Sequence, residues 1–168
     1  MIFNGLEFSL MKKEDISVLI PVMKRAFDDD ARLFFQKTAG DPPGYDDGSF
    51  LEKWGFDSNA VSYRINLGER AIGAIILFID DKHKCGFLGN MFIDSELIGK
   101  GYGYTAWCFV EHRYPQIAVW ETETPAVSYR NHHFYINKCG FHVVAVEGGI
   151  DRYKAQFKLK KEICEKMT

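Results

Sequence analysis

This sequence predicts an α/β fold of the α+β type: a mixed, mainly antiparallel, twisted sheet of about seven strands with helices on both faces. Three observations predict it. Residues 60–93 hold three apolar, β-branched runs separated by short polar turns, the pattern of consecutive antiparallel strands. The third run, Phe87 to Ile93, leads through Gly99, Gly101 and Gly103 into a segment with Tyr102, Ala106, Phe109 and Val110 at helical spacing. Another apolar run follows that helix, so strand, helix and strand form one β-α-β unit and imply one parallel pair.

Taken in order, Leu6 to Met11 reads as the first strand. Glu14 to Asp28 reads as a helix, with Ile16, Leu19, Ile20, Met23 and Phe27 on one face. Acidic Glu14 and Asp15 open it and basic Lys24 and Arg25 lie near its end, the sense favoured by the helix dipole. Pro21 removes one backbone hydrogen bond there, which predicts a kink or a break into two short helices. Asp28 to Gly48 reads as a loop from its Gly, Pro and Asp content, and Ser49 to Trp54 as a short helix. Ala60 to Leu67 and Ala71 to Asp80 form a hairpin around Gly68-Glu69-Arg70, and Asp81 to Lys84 turns the chain again. Asp94, Ser95 and Glu96 make a polar hinge before the glycines. Tyr114-Pro115 stops the central helix, and Ile117 to Thr122 reads as a buried strand. Beyond Pro125, Arg130 to Lys138 is helix-like, with Gly140 at the C′ position. Phe141 to Glu147 and Arg152 to Leu159 read as a last pair of strands joined through Gly148-Gly149. Lys158, Lys160, Lys161 and Lys166 read as a solvated end.

A chain of 168 residues is long enough for one domain, spanning 1–168, with a real core. Its formal net charge of −2 argues against general nucleic-acid binding, which needs a basic face. No apolar run approaches the roughly 20 residues of a membrane span, and the start carries no basic segment ahead of an apolar one, so a cytoplasmic protein is expected. Cys85, Cys108, Cys139 and Cys164 are widely spaced without a C-x-x-C pair and read as buried, reduced thiols. His83, His112 and His142 lack metal-ligand spacing, and adjacent His132 and His133 would point about 100° apart on a helix, so no metal is expected. A homodimer is left open.

The glycine turn carries the chemistry. Strand, glycine turn and helix together present backbone N–H groups to a phosphate, because the glycines remove Cβ clashes and the first helical turn has unpaired donors. Gly99, Lys100, Gly101, Tyr102, Gly103 and Tyr104 are therefore the candidate binding residues.

Two modules, Ile98-Gly99-Lys100-Gly101-Tyr102-Gly103 and Asn131-His132-His133-Phe134-Tyr135 leading to Cys139-Gly140-Phe141, resemble the GCN5-related N-acetyltransferase (GNAT) superfamily. The first is similar to that family's pyrophosphate loop, Gln/Arg-x-x-Gly-x-Gly/Ala, and the second to its Asn…Phe-Tyr…Gly-Phe segment. The likeness covers residues 60–146. Ile98 stands where the family has Gln or Arg, with Lys100 as a substitute charge. The Phe-Tyr to Gly-Phe spacing is one residue longer than the commonest form, which leaves open whether Tyr135 or its neighbour faces the thioester.

The resemblance implies an acyltransferase that moves an acetyl group from acetyl-CoA to a primary amine of a small molecule or peptide, by direct attack in a ternary complex. It implies that Met91, Phe92 and Ile93 line the pantetheine arm, with a backbone N–H near Met91 meeting the thioester oxygen, and that Asn131 bonds the arm or the strand, the alternative for Asn131 being a plain helix N-cap. Tyr135 is the candidate general acid, since a phenol can hand its proton to a departing thiolate; the alternative is a helix tyrosine packed on the sheet. Glu121 is the candidate base, at the end of an apolar strand where burial would favour its protonated form, or else a solvent-facing strand-end carboxylate; Glu123, His132, His133 or a water relay are the alternative bases. The acids at 28–30 and 41–47 could draw in a cationic acceptor, with Asp46, Asp47, Tyr45 and Trp54 as the candidate acceptor site, or could be a solvated loop beside core aromatics. Two competing readings are a non-catalytic acyl-CoA-binding domain and a dinucleotide-binding oxidoreductase. The second is disfavoured by Tyr104 standing where the third fingerprint glycine belongs.

Overall fold

The structure, a computed structural model, describes residues 1–163. Eight strands are found among them: β1 (Ile2–Phe3), β2 (Leu6–Leu10), β3 (Ala60–Leu67), β4 (Arg70–Asp80), β5 (Cys85–Ile93), β6 (Val119–Pro125), β7 (His142–Glu147) and β8 (Gln156–Glu162). They form a single sheet in the order β1-β2-β3-β4-β5-β6-β8-β7. Every pairing is antiparallel except β5 with β6, so the mixed sheet and its one parallel neighbour are as the sequence predicts. The strand beyond the expected seven is β1, folded back by Asn4 and Gly5 at φ 46 and 84, the Asn-Gly pair that a tight two-residue hairpin favours.

Helices α1 (Ile16–Asp30), α2 (Ser49–Gly55), α3 (Tyr102–Arg113) and α4 (Tyr129–His132) cover the sheet, and α4 continues as a wide-wound π segment, His133–Lys138. Two apolar clusters result. Trp107, Phe109 and Val110 of α3 pack with Phe8, Ile65, Trp120 and Phe141 on one side. Leu19, Val22 and Met23 of α1 pack with Leu51, Ile76 and Phe92 on the other. Each large side chain buried this way contributes roughly 1.5–3 kcal/mol. No helix is long and apolar enough to cross a membrane among the described residues.

Four sequence expectations change. Pro21 neither breaks nor ends α1. It lies on the exposed side, where the carbonyl that it leaves without a donor faces water. Helix α1 also runs past Asp28 to Asp30 and then widens through a π turn, Ala31–Phe35, so the irregular stretch begins only at Gln36. The lysines at 158, 160 and 161 belong to β8, which is inserted between β6 and β7, and do not form a free end. Lys158 bridges Glu123 and Glu147, and Lys161 pairs with Glu111 above the Trp107 ring. Lys166 and Cys164 lie outside the described residues. Of the other cysteines, Cys139 is buried and Cys108 half-buried, but Cys85 is exposed.

Candidate active site

The sheet opens between its two parallel strands. Strands β5 and β6 pair only through Cys85↔Val119, Gly86↔Trp120 and Phe87↔Glu121. Beyond Phe87, β5 runs on to Ile93 and β6 to Pro125 without further ladder pairs, and Thr122 Oγ1 takes up the Leu88 carbonyl at 2.8 Å. A bulge helps to part them. Ile76 faces Asn90 and Leu77 faces Leu88, leaving Gly89 as the extra residue on β5. A side chain at Gly89 would displace the Phe78 ring, since a Cβ there would stand 2.7 Å from it.

The gap leads into a cleft of about 870 Å³. Strand alternation divides it. Met91 and Ile93 of β5 point to the α3 side, whereas Phe92 packs with α1. On the α3 side stand Ile98, Gly99 and Gly101 of the loop and Tyr102, Gly103 and Tyr104 of the first helical turn. Gly99 and Gly101 have φ 83 and 84, a backbone that other residues adopt only with strain, and a Cβ at either would meet nothing within 4 Å. The first bond of α3 runs from the Thr105 N–H to the Gly101 carbonyl at 3.0 Å, so the N–H groups of Tyr102, Gly103 and Tyr104 have no acceptor within the helix. Open space above two glycines and three free donors at a helix N-terminus suit a diphosphate.

The loop is held from below by Asp94, whose side chain is fully buried. Arg25 of α1 grips it through Nε at 3.0 Å and Nη2 at 2.6 Å, and Arg70 adds Nη2 at 2.8 Å. Its carboxylate also accepts from the Glu96 N–H, capping the short helical turn Ser95–Leu97 that leads into Ile98. These donors, Arg25 foremost, lower the Asp94 pKa to about 2. From sequence alone this stretch is no more than a polar hinge.

Across the cleft, the extra residue between Phe134 and Gly140 is absorbed by the π winding. The Cys139 N–H reaches back five residues to the Phe134 carbonyl at 3.0 Å, and Gly140 takes φ 82 to end the helix. With that winding, both Phe134 and Tyr135 line the cleft. Tyr135 is 8% exposed, and burial pushes its hydroxyl well above the usual phenol range. Asn131 lines the cleft too, its Nδ2 donating to Thr124 Oγ1 at 3.2 Å and so tying α4 to β6.

Several predicted site residues lie elsewhere. Glu121 is exposed on the face away from Trp120 and Thr122, in the last paired position before the strands part, and does not line the cleft. Its place on the ladder is the reason: Glu121 is still paired with Phe87, whereas Glu123, on the same face, stands beyond the last pair. Tyr45 is no acceptor wall either, because it is buried beneath α1, its hydroxyl bound to Asp28 and to the Gly40 N–H. Asp47 caps the start of α2, accepting from the Ser49 N–H at 2.9 Å, and Asp46 is exposed. Trp54 is half-exposed on α2 with Lys53 4.5 Å from its ring centre. Lys100 is exposed and outside the cleft lining. Of the alternative bases, Glu123 and His133 line the cleft, whereas His132 stacks on Phe157.

The α1 side has residues that the sequence alone does not assign to the site. Asp30 and Arg130 line it as an ion pair, and Arg130 also holds Asp29 at 3.0 Å. Burial raises the Asp30 pKa while Arg130 opposes it. Asn90 lines the cleft with its Oδ1 buried and without a partner among the described residues. Only contact across 100 residues of sequence brings Asp30 to Arg130, and no local pattern announces that.

A β-bulged, splayed sheet with a glycine loop opening a helix beside the split is a fold able to seat a phosphate-bearing ligand whose arm enters the gap. The family model described as "Acetyltransferase (GNAT) family" matches residues 24–141, and the chain belongs to that family. An uncharacterized protein, YrkN, of Bacillus subtilis (strain 168) is 36% identical over 85 residues, 51% of this chain; the match spans about half of that relative (46%). Among solved structures, an acetyltransferase from Thermus thermophilus superposes with a TM-score of 0.74 at 16% identity, covering 97% of this chain and 100% of the other. The PaiA N-acetyltransferase of Thermoplasma acidophilum, solved with coenzyme A, gives 0.71 at 18% identity over 94% and 99% of the two chains. At those identities the likeness is one of fold.

Proposed function

We propose that this protein is an N-acetyltransferase that moves an acetyl group from acetyl-CoA to a primary amine of a small molecule or peptide, with both substrates bound at once. The observation that carries the reading is the parting of β5 from β6 beside the free N–H groups of Tyr102, Gly103 and Tyr104. The fit to acetyl-CoA rests on this chain's own backbone. The loop leaves space and donors for a diphosphate, and the β6-facing edge of β5 beyond Leu88, which has no ladder partner on that side, can bond an extended amide-bearing arm as an added strand would. Acetyl-CoA supplies a thioester, and transfer forms a C–N bond, breaks the C–S bond and releases coenzyme A and a proton.

Tyr135 is the general acid of this reading, protonating the leaving sulphur; in support, burial keeps its hydroxyl protonated, and it makes no hydrogen bond among the described residues. Asn131 bonds the arm from the same wall. The amine enters from the α1 side, past Asp30, Asn90 and Glu123, and its proton leaves through water towards Asp30 or Glu123. Peptide N–H groups aimed at a developing oxyanion contribute about 3 kcal/mol each, which makes the β5 backbone beside Met91 the largest single contributor.

The test is calorimetric titration with coenzyme A and with NAD, followed by thiol release from acetyl-CoA across a panel of primary amines. Coenzyme A binding, no NAD binding and amine-dependent release are expected; failure to bind coenzyme A refutes the reading. A second reading, an acyl-CoA-binding domain without turnover, is favoured by one observation: Asp30 and Glu123, the carboxylates lining the cleft, are both held in ion pairs. Tight cofactor binding with release never above hydrolysis would select it.

A further inference from the structure

The nucleotide end of coenzyme A carries a diphosphate and a separate 3′-phosphate, and both need counter-charge. The loop gives backbone donors but little side-chain charge on the cleft side, since Ile98 is apolar and Lys100 lies outside the lining. The cleft's basic side chains are Arg130, His133 and Lys138. Arg130 is committed to Asp29 and Asp30, and His133 Nδ1 is bonded to Asn137 Nδ2 at 3.0 Å. Lys138 lines the cleft and has no ion pair among the described residues. It closes the π segment and lines the same cleft as the α3 N-terminus, and Tyr104, 46% exposed, also lines the cleft with a ring able to stack a base.

We propose that Lys138 binds the 3′-phosphate of coenzyme A, so that the protein selects the 3′-phosphorylated cofactor over its dephospho form. The inference rests on the acyltransferase reading above. It assigns the two phosphate groups to opposite walls. The diphosphate takes the N–H groups of the first turn of α3, which need an acceptor close to the backbone. The monoester suits a lysine, whose ammonium is a point charge on a flexible stem and needs no paired geometry. The wide winding of His133–Lys138 serves this placement, because one residue fewer would turn the end of the helix by about 100°.

The experiment is calorimetric titration of the full chain with coenzyme A and with 3′-dephospho-coenzyme A, for the wild type, Lys138→Ala and Lys138→Arg. The wild type is expected to bind coenzyme A about tenfold more tightly than the dephospho form, the size of one charge-assisted contact. Lys138→Ala should bring the two ligands to equal affinity by weakening coenzyme A alone, and Lys138→Arg should restore most of the difference. Lys138 is exposed, so thermal melts of the variants should match the wild type and separate a lost contact from a lost fold. Equal wild-type affinities, or an Ala variant that weakens both ligands alike, overturns the assignment while leaving the cofactor reading in place. A wild type that binds neither ligand overturns both.

Discussion

Replacing Asp94 by Asn should destabilise the protein by about 2 kcal/mol at neutral pH, and most of that cost should vanish in acid. The magnitude follows from the site. Arg25, Arg70 and the Glu96 N–H hold the Asp94 carboxyl at about 2, against an ordinary 3.8. At about 1.4 kcal/mol per tenfold change in proton affinity, that favours the ionised folded state by about 2 kcal/mol. The two arginines remain 40% and 47% exposed, so water can take over their charges once the carboxylate is gone. The loss should therefore stay below the roughly 3–5 kcal/mol of an ion pair broken in a dry core. The sign is that of a lowered carboxyl. Its contribution is complete above about pH 4 and is lost as pH falls towards about 2. Urea unfolding of wild type and Asp94→Asn at about pH 6 and about pH 2.5 measures this directly, because the difference between the two proteins cancels other titrating groups. A gap that stays constant between the two pH values would refute the argument.

Gly101→Ala should cost about 1–2 kcal/mol in unfolding free energy, since it forces a side chain onto a backbone with φ 84, and should weaken coenzyme A binding as the loop distorts. Calorimetry and melts check the two effects separately. Tyr135→Phe should lower kcat by about 100-fold or more with coenzyme A affinity unchanged, the range expected for loss of a general acid. Because burial raises the Tyr135 pKa, the phenol stays protonated through ordinary alkaline conditions, and the rate should show no fall below about pH 10 that the Phe variant lacks.

Most of the fold can be read because local pattern and tertiary position agree. The runs at 60–93 alternate with tight turns, and their pairing needs only the nearest neighbour in sequence. The loop at 98–103 is legible for a related reason: glycines at positive φ, a free helix N-terminus and a preceding strand all lie within one continuous stretch. Sequence misleads where distant residues decide. Asp28 to Asp30 have the composition of a loop, yet Arg130 and Tyr45 hold them at the end of a helix. Glu121 lies beside the split, but it is still paired with Phe87, and only the end of the β5–β6 ladder says that the opening starts beyond it, where Glu123 lines the cleft. The lysines of β8 resemble a tail because a strand that pairs on both sides with acid-bearing strands can carry charge outward and still be central.

The same alternation gives the cleft its division of labour. Odd-numbered β5 residues, Met91 and Ile93, face the helix whose first turn is open, whereas Phe92 faces the helix that brings Asp30. A shift of one residue in β5 would exchange the two sides, and the Gly89 bulge is where the register changes. Asp94 then fixes the end of the strand to α1 through Arg25, so the α1-side wall of the cleft and the glycine loop share one buried anchor. Loosening that anchor should disturb both substrates together, whereas substitutions at Lys138 should touch the cofactor alone.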